Sequence, residues 1–275
     1  ALGLLGSGEL PAAAEHVDAR QLEAALAACK KSDVRYYLLG QGSNTLFADE
    51  GFDGAVICTR MMGDVPRIEG ERMTAPAGAG LTALCAMARD AGLTGLEFAC
   101  GIPGSLGGAL YMNAGAYGGE MKDVVETVTC LTPEGTVETR PADALAFGYR
   151  TSVFEQDGSC VLSATLRLAR GDKAAIRARM AELLAKRREK QPLEWPSAGS
   201  TFKRPQGAFA AALIEQCGLK GLQVGGAAVS QKHSGFVVNL GGATCADVIA
   251  LTEQVIRVVK EKTGYTLERE IRVVK

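Results

Sequence analysis

YYLLGQGSNTLFAD, residues 36–49, is the stretch on which the reading of this chain turns. An apolar run with the make-up of a strand enters a glycine loop, Gly40 to Leu46, that also carries Ser43 and Asn44. The dinucleotide fingerprint of the doubly wound fold requires a third glycine where Thr45 stands, and then a helix. LFADEGFDG reads as loop instead, and the GK[ST] ending of a phosphate loop is missing. The stretch is a candidate phosphate cradle of neither standard kind, and the chain is not a simple Rossmann sheet.

Working outward, Asp18 followed by Gln21 marks a helix start, and AVICT reads as a second short strand. LTALCAMARDAG predicts a helix from about Thr82 to Ala91, closed by Gly92. In LEFACGIPGSLGGALYMNAGAYGGE, seven glycines fall between Gly101 and Gly119, a density unfavourable for a helix or strand interior. Two readings stay open there: close backbone approach to a bulky ligand, or a tight crossing of elements in a crowded core.

Beyond Glu120 the period becomes two. VVETVTCLTPEGTVETR predicts a hairpin around Pro133 to Gly135, and SCVLSATLRLA a further strand. Asp172 caps a long helix, KAAIRARMAELLAKRREKQ, whose basic end opposes the helix dipole and reads as a solvated face. QPLEWPSAGSTFKRPQGAF is helix-free, and a change of lobe falls between Ala169 and this segment. A short helix at AALIEQCG follows, then AAVSQKHSGFVVNLG, then a helix capped by Thr244 and Asp247 that runs to about Thr263. The last element reads as a strand, YTLEREIRVV. Irregular alternation of this kind, with hairpins, is α+β.

A chain of 275 residues suits two domains. Thirty basic against 31 acidic residues argue against a nucleic-acid carrier. None of the eight cysteines has metal-binding or CxxC spacing, so the expectation is reduced, buried thiols in a cytoplasmic protein, with no metal site. ALGLLGSGELP lacks the features of a signal peptide, and no apolar run is long enough to span a membrane. His16 and His233 are the only histidines, and no G-x-S-x-G elbow exists for a serine triad.

Three places carry candidate chemistry. Arg150 in GYRTS offers bidentate donors to a carboxylate or an enolate. PSAGSTFKRP sets Ser197, Ser200, Thr201, Lys203 and Arg204 on a loop between prolines. Glu268 and Glu270 stand two apart in a strand pattern, hence on one face.

Taken in order, YYLLGQGSNTLFAD, GLEFACGIPGSLGGALYMNAGAYGGE, FGYRTSVF, PSAGSTFKRP, GLKGLQVGGAAVSQKHSGFVVN and LEREIRVV resemble the UDP-N-acetylenolpyruvylglucosamine reductases. The resemblance covers roughly residues 34–274 and is to the shorter, second type. It implies a vanillyl-alcohol-oxidase-like, two-lobed FAD-binding domain over residues 1–170. A C-terminal α+β substrate-binding domain over residues 171–275 completes it, with the last strand returning toward the active site. It implies FAD as cofactor and NADPH as hydride donor, UDP-N-acetylenolpyruvylglucosamine as substrate, and no obligate protein partner.

By that resemblance Gly40, Gln41, Gly42, Ser43, Asn44 and Thr45 wrap the FAD pyrophosphate in a backbone nest, which needs no third glycine. Gly101, Ile102, Pro103, Gly104, Ser105, Gly107 and Gly108 run along the cofactor, and Asn113, Ala114 and Gly115 continue that wall. The glycine crowding then becomes a ligand effect. Arg150, Ser200 and Glu270 carry over as catalytic residues. Arg150 clamps the developing enolate, Ser200 gives a proton to C2, and Glu270 lies on the carboxylate side, protonated or paired through a proton. Glu268 is the alternative to Glu270 if the register points the other way. Tyr149, Lys203, Gln231, Lys232 and Asn239 are implied substrate or NADPH contacts. One departure stands out: the family's leading segment with its TTFxxGG-like motif is not matched by ALGLLGSGELPAAAEH, which implies an altered front to the first lobe.

Overall fold

The computed structural model describes residues 19–275; Asp18, His16 and the leading segment lie outside the described residues. Its helices are α1 (Ala19–Lys31), α2 (Leu81–Asp90), α3 (Leu106–Tyr111), α4 (Val153–Asp157), α5 (Lys173–Lys190), α6 (Ala210–Gln216) and α7 (Cys245–Thr263). The described chain forms two compact units. The larger holds residues 19–41 and Gly54–Lys186, the smaller Gly42–Asp53 and Arg187–Lys275. Of the three divisions along the described chain, one passes through the GQGSN loop, one follows Asp53 and one passes through α5, whereas a boundary at residue 170 precedes that helix.

The larger unit is built on a five-stranded antiparallel sheet in the order Val137–Pro141, Val125–Leu131, Cys160–Arg167, Arg72–Pro76, Arg67–Glu69. Cys160–Arg167 is central, and its later residues alternate inward and outward. Inward Ala164 and Leu166 join Met73, Val128, Leu106 and Leu110 in one core. Each such Leu or Val contributes about 1.5–3 kcal/mol relative to exposure. On the outer face Glu126 receives both Arg72 and Arg167; the Arg72 guanidinium beside it holds its carboxyl down at about 2. Tyr36–Leu39 and Ala55–Cys58, the two strands expected from the apolar runs, pair in parallel. Asp172 caps α5 as expected, its Oδ2 accepting from Ala175 N at 2.7 Å.

The smaller unit has a four-stranded antiparallel sheet in the order Ser197–Ser200, Phe236–Asn239, Ala227–Val229, Gln223–Val224. Its core joins Val229 and Val237 to Ile214 of α6 and to Leu251, Val255 and Val259 of α7. Thr244 and Asp247 form the expected capping box of α7. Asp49, 196 residues upstream, adds a second cap, accepting from Cys245 N at 2.6 Å and Ala246 N at 3.0 Å. Thr45–Phe47 pairs in parallel with Arg272–Val274. That pairing and the Asp49 cap are why Gly42–Asp53 belongs with the C-terminal residues.

Four expectations change. The hairpin Arg67–Glu69/Arg72–Pro76 was not anticipated from VPRIEGERMTAP. Ser197–Ser200 is a strand, though the segment reads as loop, because Phe236–Asn239 supplies its partners. The glycine-dense region contains α3. The final strand is confined to Arg272–Val274, with one bridge from Arg269 to Phe202, so Glu268 and Glu270 do not share a strand face.

Candidate active site

In the larger unit, the strand Tyr36–Leu39 delivers Gly40 against Ser105. A Cβ on Gly40 would lie 2.8 Å from Ser105 Oγ, so a side chain there would have to displace that hydroxyl. Ser105 is buried and caps α3, its Oγ accepting from Gly108 N at 3.4 Å. The segment from Gly104 to Gly107 is stitched to Ala77–Leu81: Leu81 N donates to Gly104 O, Leu106 N to Ala79 O, and Gly107 N to Ala77 O. Gln41 lies against the same stretch, its Nε2 3.4 Å from where a Gly80 Cβ would be.

At three positions of the second glycine segment the protein itself leaves no room for a side chain. A Cβ on Gly107 would meet Ala77 Cβ at 2.9 Å, one on Gly115 would meet Glu120 Cβ at 2.7 Å, and one on Gly119 would meet Phe98 at 2.7 Å. These glycines let the protein close on itself.

Asn113 is fully buried and left-handed, with φ of +44°. It leads into Ala114, also buried, and Gly115. Arg150, at φ +57°, donates from Nη2 to Gly115 O at 2.9 Å, and its guanidinium carbon lies 5.1 Å from the ring centre of half-exposed Tyr149. Ser152, buried, donates to Tyr111 O at 2.6 Å and so ties the GYRTS turn to the end of α3.

In the smaller unit, Gly42 takes φ +67°, the left-handed turn an anion nest requires. Thr45 N donates back to Gly42 O at 3.4 Å. Asn44 spans to the end of the chain, its Nδ2 donating to Glu270 O at 3.0 Å and its own carbonyl accepting from Arg272 N at 2.9 Å. Ser200 is exposed at the end of Ser197–Ser200. Ser43 is close by: its carbonyl oxygen lies 3.9 Å from where a Cβ on Gly199 would be.

Thr201 joins these parts. Its N–H donates to Gly235 O at 2.8 Å, its hydroxyl accepts from Val237 N at 2.9 Å, and its carbonyl accepts from Glu270 N at 2.8 Å. Glu270 is thus held from both sides, by Thr201 and Asn44, next to Ser200. Glu268 turns elsewhere, pairing with Lys203 Nζ at 2.5 Å while its side chain is 71% exposed.

The remaining implied contacts serve local structure. Lys232 Nζ donates to Arg188 O at 2.8 Å and faces Glu194 at 3.6 Å. Asn239 Oδ1 accepts from Gly241 N and Ala243 N. Gln231 is exposed and lies over Gly221. His233 Nδ1 accepts from Gly235 N, its ring meets Phe236 edge-on at 5.0 Å, and burial pushes its imidazole below the ordinary value. Ser152 and Asp49 carry no assignment in the sequence, and Thr201 stands there only among the residues of a candidate loop. Thr201 and Ser152 sit inside the motifs SAGSTF and GYRTS; nothing local marks Asp49.

Among the described residues no group of His, Cys, Asp and Glu is arranged for a metal, and no helix is long and apolar enough to cross a membrane. The cysteines are free thiols. Cys85 and Cys160 are pushed up to about 12 by burial, which suits packing and not nucleophilic chemistry. The left-handed Gly42 turn fits a diphosphate bound by backbone N–H groups.

Comparison with known proteins agrees with this chemistry. A family model described as FAD binding domain matches residues 11–140, and one described as UDP-N-acetylenolpyruvoylglucosamine reductase, C-terminal domain, matches residues 191–274. The UDP-N-acetylenolpyruvoylglucosamine reductase of Clostridium botulinum strain Hall is 46% identical over 254 residues, covering 92% of this chain and 83% of that one. That of Clostridium novyi strain NT is 48% identical over 246 residues, covering 90% and 80%. The crystal structure of UDP-N-acetylenolpyruvylglucosamine reductase from Thermus caldophilus matches with a TM-score of 0.79 at 36% identity, over 94% of this chain and 91% of that one. The chain, an FAD-binding domain followed by a C-terminal α+β domain, belongs to the UDP-N-acetylenolpyruvoylglucosamine reductase family.

Proposed function

We propose that this chain reduces the enolpyruvyl ether of UDP-N-acetylenolpyruvylglucosamine to the lactyl ether of UDP-N-acetylmuramate, with NADPH as reductant. The observation that carries the reading is the arrangement around Thr201, which secures Glu270 beside Ser200 and the GSN loop in a chain of this family. FAD, when bound, would supply the two-electron hydride chemistry that links NADPH to the enol ether. Gly40 to Thr45, the segment Gly101 to Gly108, and Ala114 and Gly115 would hold it.

The rest of the chemistry belongs to side chains. Hydride addition at C3 leaves negative charge on C2 and the attached carboxylate. Arg150, a permanent cation fixed on Gly115, opposes that charge. Ser200 supplies the proton that C2 takes up; an exposed hydroxyl is a weak acid, so the step relies on a strongly basic carbon and fixed geometry. Glu270 lies on the carboxylate side. Lys203, paired with Glu268, and Tyr149 remain candidates for the sugar and diphosphate, while the bonds of Lys232 and Asn239 make them supports of the neighbouring loops.

In the same proposal residues up to about 170 serve FAD and residues 171–275 the substrate. A cytoplasmic location belongs to it too, since NADPH and a nucleotide sugar are cytoplasmic reagents. The test is direct: purified chain with bound flavin should oxidise NADPH beyond one equivalent per flavin only when the enolpyruvyl substrate is added, one NADPH per lactyl ether formed. Continued NADPH oxidation in the presence of the enol ether without its reduction refutes the assignment.

A further inference from the structure

We propose that Asn113 is a positioning residue for Arg150, and not a ligand of the cofactor as its neighbourhood in the glycine segment implies. The inference rests on the reading of Arg150 as the clamp on the substrate's developing charge.

Asn113 has no exposed surface, and its side chain is used internally. One Nδ2 proton goes to Glu120 Oε2 at 2.7 Å and the other to Gly148 O at 2.9 Å, while Oδ1 accepts from Lys122 N at 2.9 Å. A carboxamide has two N–H donors, so both are spent. Glu120 is fixed in turn, because it pairs with Lys122 and shares a reciprocal cap with Asp123.

Gly148 stands two residues before Arg150, in a turn closed by Gly148 N donating to Thr151 O at 3.1 Å. Within that turn Arg150 adopts φ +57°, a conformation a non-glycine residue keeps only when its surroundings impose it. Asn113 holds one side of the turn through Gly148, and Ser152 holds the other through Tyr111. The guanidinium of Arg150 then anchors on Gly115 O, two residues beyond Asn113. Backbone and head group of the arginine are therefore both referenced to one short segment, and Asn113 sets the distance between them. Asparagine suits the position for a second reason: its own φ of +44° is one that asparagine tolerates better than most residues.

The experiment compares wild type, Asn113→Gly, Arg150→Ala and the double variant. Glycine removes the carboxamide and keeps the left-handed backbone. Three quantities are measured: flavin content and absorption spectrum, the rate of flavin reduction by NADPH, and the rate at which reduced flavin is reoxidised by the enol ether. We expect Asn113→Gly to retain flavin with an unchanged spectrum, to be reduced normally, and to be reoxidised at least tenfold more slowly. Adding it to Arg150→Ala should slow reoxidation no further, since the group it positions is already gone.

Should Asn113→Gly not accumulate as folded protein, Asn113→Asp keeps size and backbone tolerance while losing both donors, and the same pattern is expected of it. Loss of flavin, equal slowing of both half-reactions, or multiplied losses in the double variant overturns the proposal alone. A wild type that does not reduce the enol ether overturns the functional reading and the proposal with it.

Discussion

Thr201→Val isolates one hydrogen bond at the centre of the smaller unit. Thr201 is 2% exposed, and its hydroxyl accepts from the buried Val237 N–H at 2.9 Å. Valine keeps the shape and both backbone bonds, to Gly235 O and from Glu270 N, so the lost acceptor is the main change. A buried donor left without a partner costs about 1–3 kcal/mol. At about 2–4 °C per kcal/mol for a chain of this size, the melting temperature should fall by roughly 2–12 °C. Since the backbone still holds Glu270, reoxidation of the flavin by the enol ether should slow by less than about tenfold, or 1.4 kcal/mol. Thr201→Ser restores the acceptor and should recover most of the melting temperature. The assay is thermal unfolding of the three proteins at one flavin loading. A valine variant that melts within about 1 °C of wild type refutes the reasoning, because Val237 N–H would then have another acceptor. A serine variant as unstable as the valine one would assign the effect to the methyl group instead.

Glu270→Gln should slow the enol-ether half-reaction by roughly 10²–10⁴, whereas Glu268→Gln, which loses only an exposed pair, should change turnover by no more than about fivefold; stopped-flow rates in the opposite order would show that the wrong glutamate was chosen. Ser200→Ala and Arg150→Ala should each spare flavin reduction by NADPH and cripple its reoxidation, so equal losses in both halves, or normal turnover, count against those roles. Asp247 is held below the ordinary carboxylate range by the N–H groups of Thr244 and Gly226, which makes its stabilisation full above the unfolded pKa and lost as pH falls through the lower folded one. Asp247→Asn should therefore lower the melting temperature at neutral pH, with the gap to wild type closing only in strong acid; a gap constant across that range is the contrary result.

What could be read in the sequence was what local chemistry decides. The helix α2 announces itself by period, and α5 and α7 by caps that the structure keeps, Asp172 and the Thr244–Asp247 box. The hairpin at Pro133 to Gly135 follows from turn residues between two alternating runs. What could not be read depends on partners far along the chain. SAGS has no β-branched residue and becomes a strand only because Phe236–Asn239 lies beside it. Glu268 and Glu270 were paired by a period-two argument that fails because regular strand begins only at Arg272, and Lys203 draws Glu268 away. The candidate site shows the same split. Motif order yields Arg150, Ser200 and Glu270, but Thr201, which joins two of them, is defined by bonds to residues 235, 237 and 270.

The two glycine segments look alike in composition and differ in physics. At Gly42 the requirement is a left-handed turn in a loop that offers backbone N–H groups. At Gly107, Gly115 and Gly119 it is room for Ala77, Glu120 and Phe98, so those glycines are fixed by the protein whatever it binds. Glycine density alone therefore does not identify a cofactor wall. The residue that separates structural from chemical use in each segment is an asparagine whose carboxamide reaches the backbone of a distant element: Asn44 reaches Glu270, and Asn113 reaches the turn of Arg150. If glycine segments of this kind serve catalysis by fixing side chains as well as by admitting a ligand, substitutions at the two asparagines should be felt at those partners before they are felt in flavin content. That order of effects is the opposite of what a purely cofactor-binding role requires.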